Sequence, residues 1–251
     1  MIYICAHVSN HASTVGLLLW KIRRVFTTFP REYHLLVADD GSSDATREVL
    51  DLYQRVLPLS VLRPNPAPGY AASLELLLRE ALRRTDRPKR DCAITVRPDF
   101  SVPADALPDF VRRIESGADL VIGEEMDGDR SLARWLVRRG APWLLRPGVR
   151  VPGLRDFISG CLAVRLSTLR QCLRSRTALL DTHGWTANAE LIARAALEAR
   201  QIAAIPVPRG LRPPDSTTAA GTSAVRLALS LYRTGRRLQI PAPAAPIERA
   251  S

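Results

Sequence analysis

A chain of 251 residues with 46% hydrophobic content is long enough to bury one large core and reads as a single domain. Its formal net charge is +11, but Lys21 and Lys89 are its only lysines, so 34 of the 36 basic residues are arginine, a skew that suggests GC-rich bacterial coding as much as a binding surface. No nucleic-acid-binding pattern accompanies the charge, and no apolar run approaches the roughly 18 residues of a membrane span.

Residues 2–7 predict a first buried strand, with no basic leader ahead of it and too little length for a signal peptide. Residues 13–25 predict a helix with Val15, Leu18, Leu19, Ile22 and Val25 on one face. A strand at 33–38 and a helix at 45–56 follow, then a short strand at 59–63, a helix at 70–83 and a strand at 91–96. This alternation predicts an α/β, Rossmann-like domain, its mostly parallel central sheet flanked by helices and joined by right-handed crossovers. No Gly-x-Gly-x-x-Gly follows the first strand, which argues against a nicotinamide dehydrogenase and a sugar-phosphate nucleotidylyltransferase. Cys5, Cys92, Cys161 and Cys172 show no Cys-x-x-Cys spacing and read as reduced core thiols of a cytoplasmic protein.

The second strand ends in Asp39-Asp40-Gly41-Ser42-Ser43-Asp44-Ala45-Thr46. Two carboxylates therefore stand at the carboxyl end of a strand, the edge where open α/β sheets bind ligands. Gly41 can adopt backbone angles closed to other residues, and Ser43 or Asp44 can cap the next helix.

That string is similar to the signature loop of family 2 glycosyltransferases with the GT-A fold, in which it holds a nucleotide sugar. The resemblance runs from about residue 2 to 218. Asn65 to Ala71 resembles a glycine-containing segment of the family in which Gly69 is the firm match, and Ala118-Asp119-Leu120-Val121-Ile122-Gly123 looks like a later strand. Arg155-Asp156-Phe157-Ile158-Ser159-Gly160-Cys161-Leu162-Ala163-Val164-Arg165 is similar to a segment of the dolichyl- or polyprenyl-phosphate mannosyltransferase branch. A helix with Glu190, then residues 202–207 ending in Pro206-Val207, completes the pattern.

The resemblance implies an inverting transfer from a nucleoside-diphosphate sugar to a polyprenyl phosphate or a small-molecule acceptor. Asp39 would read the base, with Asp40, Asn10 and Gly69 beside it; Asp40 reads equally well as a structural carboxylate. Arg155, Ser159, Gly160 and Arg212 would face the acceptor or its phosphate. Asp156 and Glu190 are the general-base candidates where the acceptor is a hydroxyl, and a helix-surface acid is the other reading of Glu190. The family carries Asp-x-Asp after the fourth strand to hold Mg²⁺ or Mn²⁺. Here Arg97-Pro98-Asp99 stands there. Three readings stay open: a metal on Asp99, Arg97 itself as the cation against the diphosphate, or a decayed donor site.

Other departures are His11 where the family has an acid, Glu124 and Glu125 where it has an arginine, and a lysine missing after Arg212 and Ser216. His11 reads as a half-exposed loop residue or a ligand contact. These departures keep open a catalytically silent nucleotide-sugar-binding protein acting as scaffold or subunit. Residues 131–145, with Trp135 and Trp143 among leucines and arginines, and residues 223–238 have the composition of interfacial helices. They leave peripheral contact at the inner face of the plasma membrane as an open alternative. The expected organisation is a transferase domain over 1–222, an amphipathic helix over 223–238 and a disordered tail over 239–251.

Overall fold

The computed structural model describes residues 1–100, 102–125, 132–146, 148–157, 160–174, 176–208 and 224–249. Apolar runs become strands and amphipathic runs become helices in chain order: β1 (Ile2–Val8), α1 (Ala12–Thr28), β2 (Tyr33–Asp39), α2 (Thr46–Gln54), β3 (Leu59–Leu62), α3 (Tyr70–Arg84) and β4 (Cys92–Val96). A 3₁₀ turn (Ala104–Ala106) leads into α4 (Leu107–Glu115), then β5 (Leu120–Glu125), α5 (Leu132–Leu145), β6 (Leu162–Arg165), α6 (Leu166–Cys172), α7 (Thr186–Glu198), β7 (Ile202–Val207), α8 (Ala224–Arg237) and β8 (Ile247–Arg249).

The strands form one sheet in the order β3-β2-β1-β4-β6-β5-β7-β8. All neighbours run parallel except β6, which lies antiparallel to both β4 and β5. Side chains alternate between the two faces, as strand geometry requires. On one face Tyr3, Cys5, Leu36 and Ala38 pack with α3, α6, α7 and α8. On the other, Ile2, Ile4, Ala6, Val8, Leu35 and Val37 pack with α1 and α4. Both faces are covered, so the central strands are mostly apolar, the mark of a buried parallel sheet. All four cysteines are buried free thiols.

Residues 239–249 differ from the disorder expected of the tail, and residues 250–251 lie outside the described residues. Leu238 and Ile240 are buried, the Ile240 amide donates to Gly148 O at 2.7 Å, and Ile247–Arg249 pairs in parallel with β7. The Ala-Pro composition concealed this, because one apolar residue at each end is enough to anchor the segment. No helix among the described residues is long and apolar enough to cross a membrane.

Candidate functional site

The carboxyl ends of β1, β2 and β4 meet at one edge of the sheet, with Val8 in register beside Asp39. Asp39 is buried; its Oδ1 accepts the Ser42 amide at 3.1 Å, and its Oδ2 lies 3.7 Å from Arg63 Nε. Asp40 turns the other way. Its Oδ2 meets His7 Nε2 at 3.1 Å, its Oδ1 accepts the Gly69 amide at 3.1 Å, and its carbonyl accepts Ser9 Oγ. It thereby ties β1 to the start of α3, the geometry of a structural carboxylate. Gly69 caps α3 at φ 84°, in the left-handed region that favours glycine, and a methyl group there would meet nothing within 4 Å.

Asn10, itself at φ 57°, buttresses the same loop: its Oδ1 accepts the Ser43 amide at 2.8 Å and the Asp44 amide at 3.4 Å. Asp44 does not cap α2 from the formal cap position, which Ala45 holds. Its carboxylate instead accepts the amides of Thr46 and Ala12, joining the first turns of α2 and α1. Burial raises the Asp44 pKa, but the Thr46 hydroxyl and these amides outweigh it and leave the group below its usual range.

Beyond β4, Arg97 is buried, 4% exposed, and donates through Nη2 to Asp99 Oδ2 at 2.8 Å; Asp99 is wholly buried. The guanidinium lies 4.2 Å from the ring of Trp185, close enough for cation–π attraction. Trp185 in turn meets Tyr70 at 4.3 Å, and Tyr70 meets His7 edge-on at 5.1 Å. The Tyr70 hydroxyl donates to Asn188 Oδ1 at 2.8 Å; burial pushes that phenol up to about 12. Gly160 passes beside them at φ 70°, where a Cβ would stand 2.8 Å from Asn188 Nδ2. Arg97 Nε, Asn188 Nδ2 and His11 Nε2 are buried without a hydrogen-bond partner. Buried donors left unmet are costly, which makes this shelf the part of the molecule best prepared for a ligand. His11 is accordingly a buried residue and not the half-exposed one that its loop position suggested.

The shelf differs from the sequence expectation at several residues. Glu190 has no exposure at all. Its oxygens accept the Asp181 and Thr182 amides at 2.9 Å, Thr182 Oγ1 at 2.7 Å and Arg194 Nε at 2.8 Å. A carboxylate sealed in this way cannot reach a substrate in this structure, and the expected base at Glu190 is corrected to a group that holds the loop entering α7. Asp156 is buried, with Oδ2 receiving the Glu125 amide at 3.5 Å. Arg155 is exposed, its amide donating to Glu124 Oε1 at 2.8 Å. These two sit at the end of β5, four strands from β2, or about 19 Å at ordinary strand spacing. Ser159, Arg212 and Ser216 lie outside the described residues, as does the loop at 126–131. His7, Arg63, Tyr70, Trp185 and Asn188 were not expected at the site. The aromatic pair beside two unmet donors is what betrays them, and only the fold assembles it.

Among the described residues no group of three or more His, Cys, Asp or Glu side chains is arranged to hold a metal ion. Asp99 is ion-paired to a guanidinium standing where the first acid would be, so a cation here would have one carboxylate and the substrate's own phosphates as its ligands.

Burial lowers the pKa of His7, outweighing its bond to Asp40, and burial likewise lowers that of His11. The unfolded chain therefore takes up protons near the ordinary value of 6.5 while the folded chain still excludes them. Stability is full above that value and declines as pH falls through it toward the folded values. Urea midpoints should be lower at pH 5.5 than at pH 7.5, with a shallower drop in the His7→Gln, His11→Gln double variant. An equal drop in that variant would assign the pH dependence to other groups.

Comparison with known proteins places this geometry. The chain is 28% identical over 203 residues to a dolichyl-phosphate hexose transferase of Haloferax volcanii, covering 79% of this chain and 78% of that one. It is 25% identical over 141 residues to a dolichol-phosphate mannosyltransferase of Pyrococcus furiosus, covering 53% of this chain but only 38% of that protein's length. In fold it is similar to glucosyl-3-phosphoglycerate synthase from Mycobacterium tuberculosis, solved with Mn²⁺, uridine diphosphate and glucosyl-3-phosphoglycerate: TM-score 0.64, 18% identity, 96% of this chain and 81% of that one. Residues 2–173 match the family described as glycosyl transferase family 2, and the chain belongs to that family.

Proposed function

We propose that the chain transfers a sugar, with inversion, from a nucleoside-diphosphate sugar to a polyprenyl phosphate or a small-molecule acceptor. One observation carries the reading. Asp39 and Arg97 stand at the carboxyl ends of β2 and β4, either side of β1, about 10 Å apart at ordinary strand spacing. A nucleoside diphosphate spans that distance with its base at one end and its phosphates at the other. In this reading Asp39 accepts hydrogen bonds from the base, and Arg97, fixed against Trp185, neutralises the departing diphosphate. The acceptor enters from the Arg155–Gly160 side. An acceptor phosphate is already nucleophilic, whereas an acceptor hydroxyl gives up its proton to Asp156.

Asp39→Ala should weaken nucleoside-diphosphate binding by about 1–3 kcal/mol, the range for a hydrogen bond involving a charged group. Isothermal titration of the folded variant checks it, and unchanged affinity would take Asp39 out of the site. The Arg97–Asp99 pair also favours a second reading, nucleotide-sugar binding without transfer. Donor turnover with a range of acceptors decides between them.

A further inference from the structure

The three unmet atoms of the shelf share one polarity: all are hydrogen-bond donors. The Arg97 guanidinium has no acceptor to offer. Asn188 gives its Oδ1 to the Tyr70 hydroxyl, which leaves Nδ2 turned away from that ring. His11 receives the Ser9 amide on Nδ1 at 3.2 Å, and burial lowers its affinity for a second proton. Its ring hydrogen therefore stands on Nε2. Three separate segments bring these donors to one place. β1 and β4 are neighbours, with Ala6 level with Val96, so the turn that carries His11 leaves the sheet beside Arg97. The Asp99 charge is felt at the His11 ring. Gly160, tied to β4 through its carbonyl and Thr95 Oγ1 at 2.7 Å, closes the third side. The point that its Cβ would occupy lies 2.8 Å from Asn188 Nδ2 and 3.6 Å from Arg97 Cδ, so these two side chains border one space. Only glycine leaves that space open.

Donors with their neighbouring acceptors already engaged select a group that brings oxygens and no hydrogens. A sugar hydroxyl brings a hydrogen of its own, yet Asn188 Oδ1 is held by Tyr70 and Asp99 Oδ2 by Arg97. An ionised phosphate offers acceptors alone, and bonds from buried donors to its charged oxygens are the strong kind. We infer that His11, Arg97 and Asn188 together cradle the outer phosphate of a nucleoside diphosphate, the one joined to the sugar in the donor. His11 Nε2, Arg97 Nε and Asn188 Nδ2 donate to its oxygens. This rests on the donor orientation proposed above, with the base at Asp39, and adds His11 and Asn188 to Arg97 as residues that bind the diphosphate. Gly160 also borders the acceptor side, so the cradled phosphate is the one whose bond to the sugar breaks.

Uridine and guanosine di- and monophosphates, titrated calorimetrically against the full chain in EDTA, test the cradle. One diphosphate should bind at least tenfold more tightly than its own monophosphate. His11→Leu removes one donor. Asn188→Asp sets a carboxylate oxygen where Nδ2 stands and keeps the oxygen that Tyr70 uses. Each should cut the diphosphate-to-monophosphate ratio at least fivefold, with monophosphate affinity within twofold of the parent as the sign of an intact fold. His11→Gln loses the Ser9 bond just as His11→Leu does, but it carries an N–H to the Nε2 position and should restore most of the ratio. Equal impairment in the Leu and Gln variants would make His11 a purely structural residue and overturn its place in the cradle. An unchanged ratio in both His11→Leu and Asn188→Asp overturns the cradle and leaves the transfer reading standing. So does diphosphate binding that appears only on adding Mn²⁺. Failure of either diphosphate to bind the parent chain under both conditions overturns the cradle and the transfer reading together.

Discussion

Arg97→Ala is expected to lower donor turnover by about 10²–10³-fold, the loss seen when a preorganised transition-state donor is removed. The departing diphosphate carries negative charge that must be neutralised as the glycosidic bond breaks. An acid pair would do so by recruiting a cation, but Arg97-Pro98-Asp99 supplies one positive and one negative side chain. An added cation beside the guanidinium would meet like-charge repulsion, appreciable in a partly desolvated cleft. The arginine is already charged and held by Trp185 and Asp99, so it need not be reorganised for each turnover. Substantial activity should therefore persist in EDTA. Loss in EDTA with recovery on adding Mg²⁺ or Mn²⁺ would make Asp99 a working ligand and point the arginine elsewhere.

The same substitution has a structural component that must be measured separately. Asp99 is fully buried, and removing its guanidinium costs about 3–5 kcal/mol where a buried pair loses one member. Urea unfolding of the variant gives that figure, and turnover is then compared well below its Tm. Arg97→Lys keeps the charge but loses the fork and the flat face against Trp185, so it should hold most stability while turnover stays depressed.

Glu190→Ala should destabilise the chain by about 3–5 kcal/mol, enough to remove much of a typical domain's stability. The carboxylate neutralises Arg194, itself 7% exposed, and receives the amides of Asp181 and Thr182 at the entry to α7. Deleting it leaves these buried donors without their acceptor. Glu190→Gln keeps the shape and loses the charge, so it should fall between the two in urea midpoint. A Glu190→Gln chain with parental stability and no turnover would return Glu190 to the reacting groups.

Much of the sheet could be read from residue order alone because buried parallel strands announce themselves as apolar runs closed by turn residues. The strands at 2–7, 33–38 and 202–207 match the structure to within about one residue at their ends. β6 could not be read as antiparallel: four residues of Leu162-Ala163-Val164-Arg165 carry no mark of direction. Asp39 was legible as a carboxylate at a strand end, Arg97 and Asp99 only through the resemblance to the family's Asp-x-Asp, and the structure brings all three to one edge of the sheet. Tyr70 and Asn188 were not legible, since 118 residues separate them and only the fold, by bringing the first turns of α3 and α7 together, makes them partners. Glu190 shows the reverse error. Its place in a motif was visible, but which way a helical carboxylate turns depends on Arg194 and the Asp181–Thr182 loop, which spacing alone does not reveal.

The three-residue strand Ile247–Arg249 closes the sheet on Glu248 and Arg249, both exposed, beside a β7 whose Ile202, Ala203 and Ala204 are buried. Without it, a row of unpaired amides and carbonyls would run along an apolar β7, ready to template another molecule's strand. A short charged strand cannot extend that pairing far. Residues 247–249 thus cover the β7 edge, and a chain trimmed at residue 239 should aggregate at concentrations the full chain tolerates, which static light scattering checks.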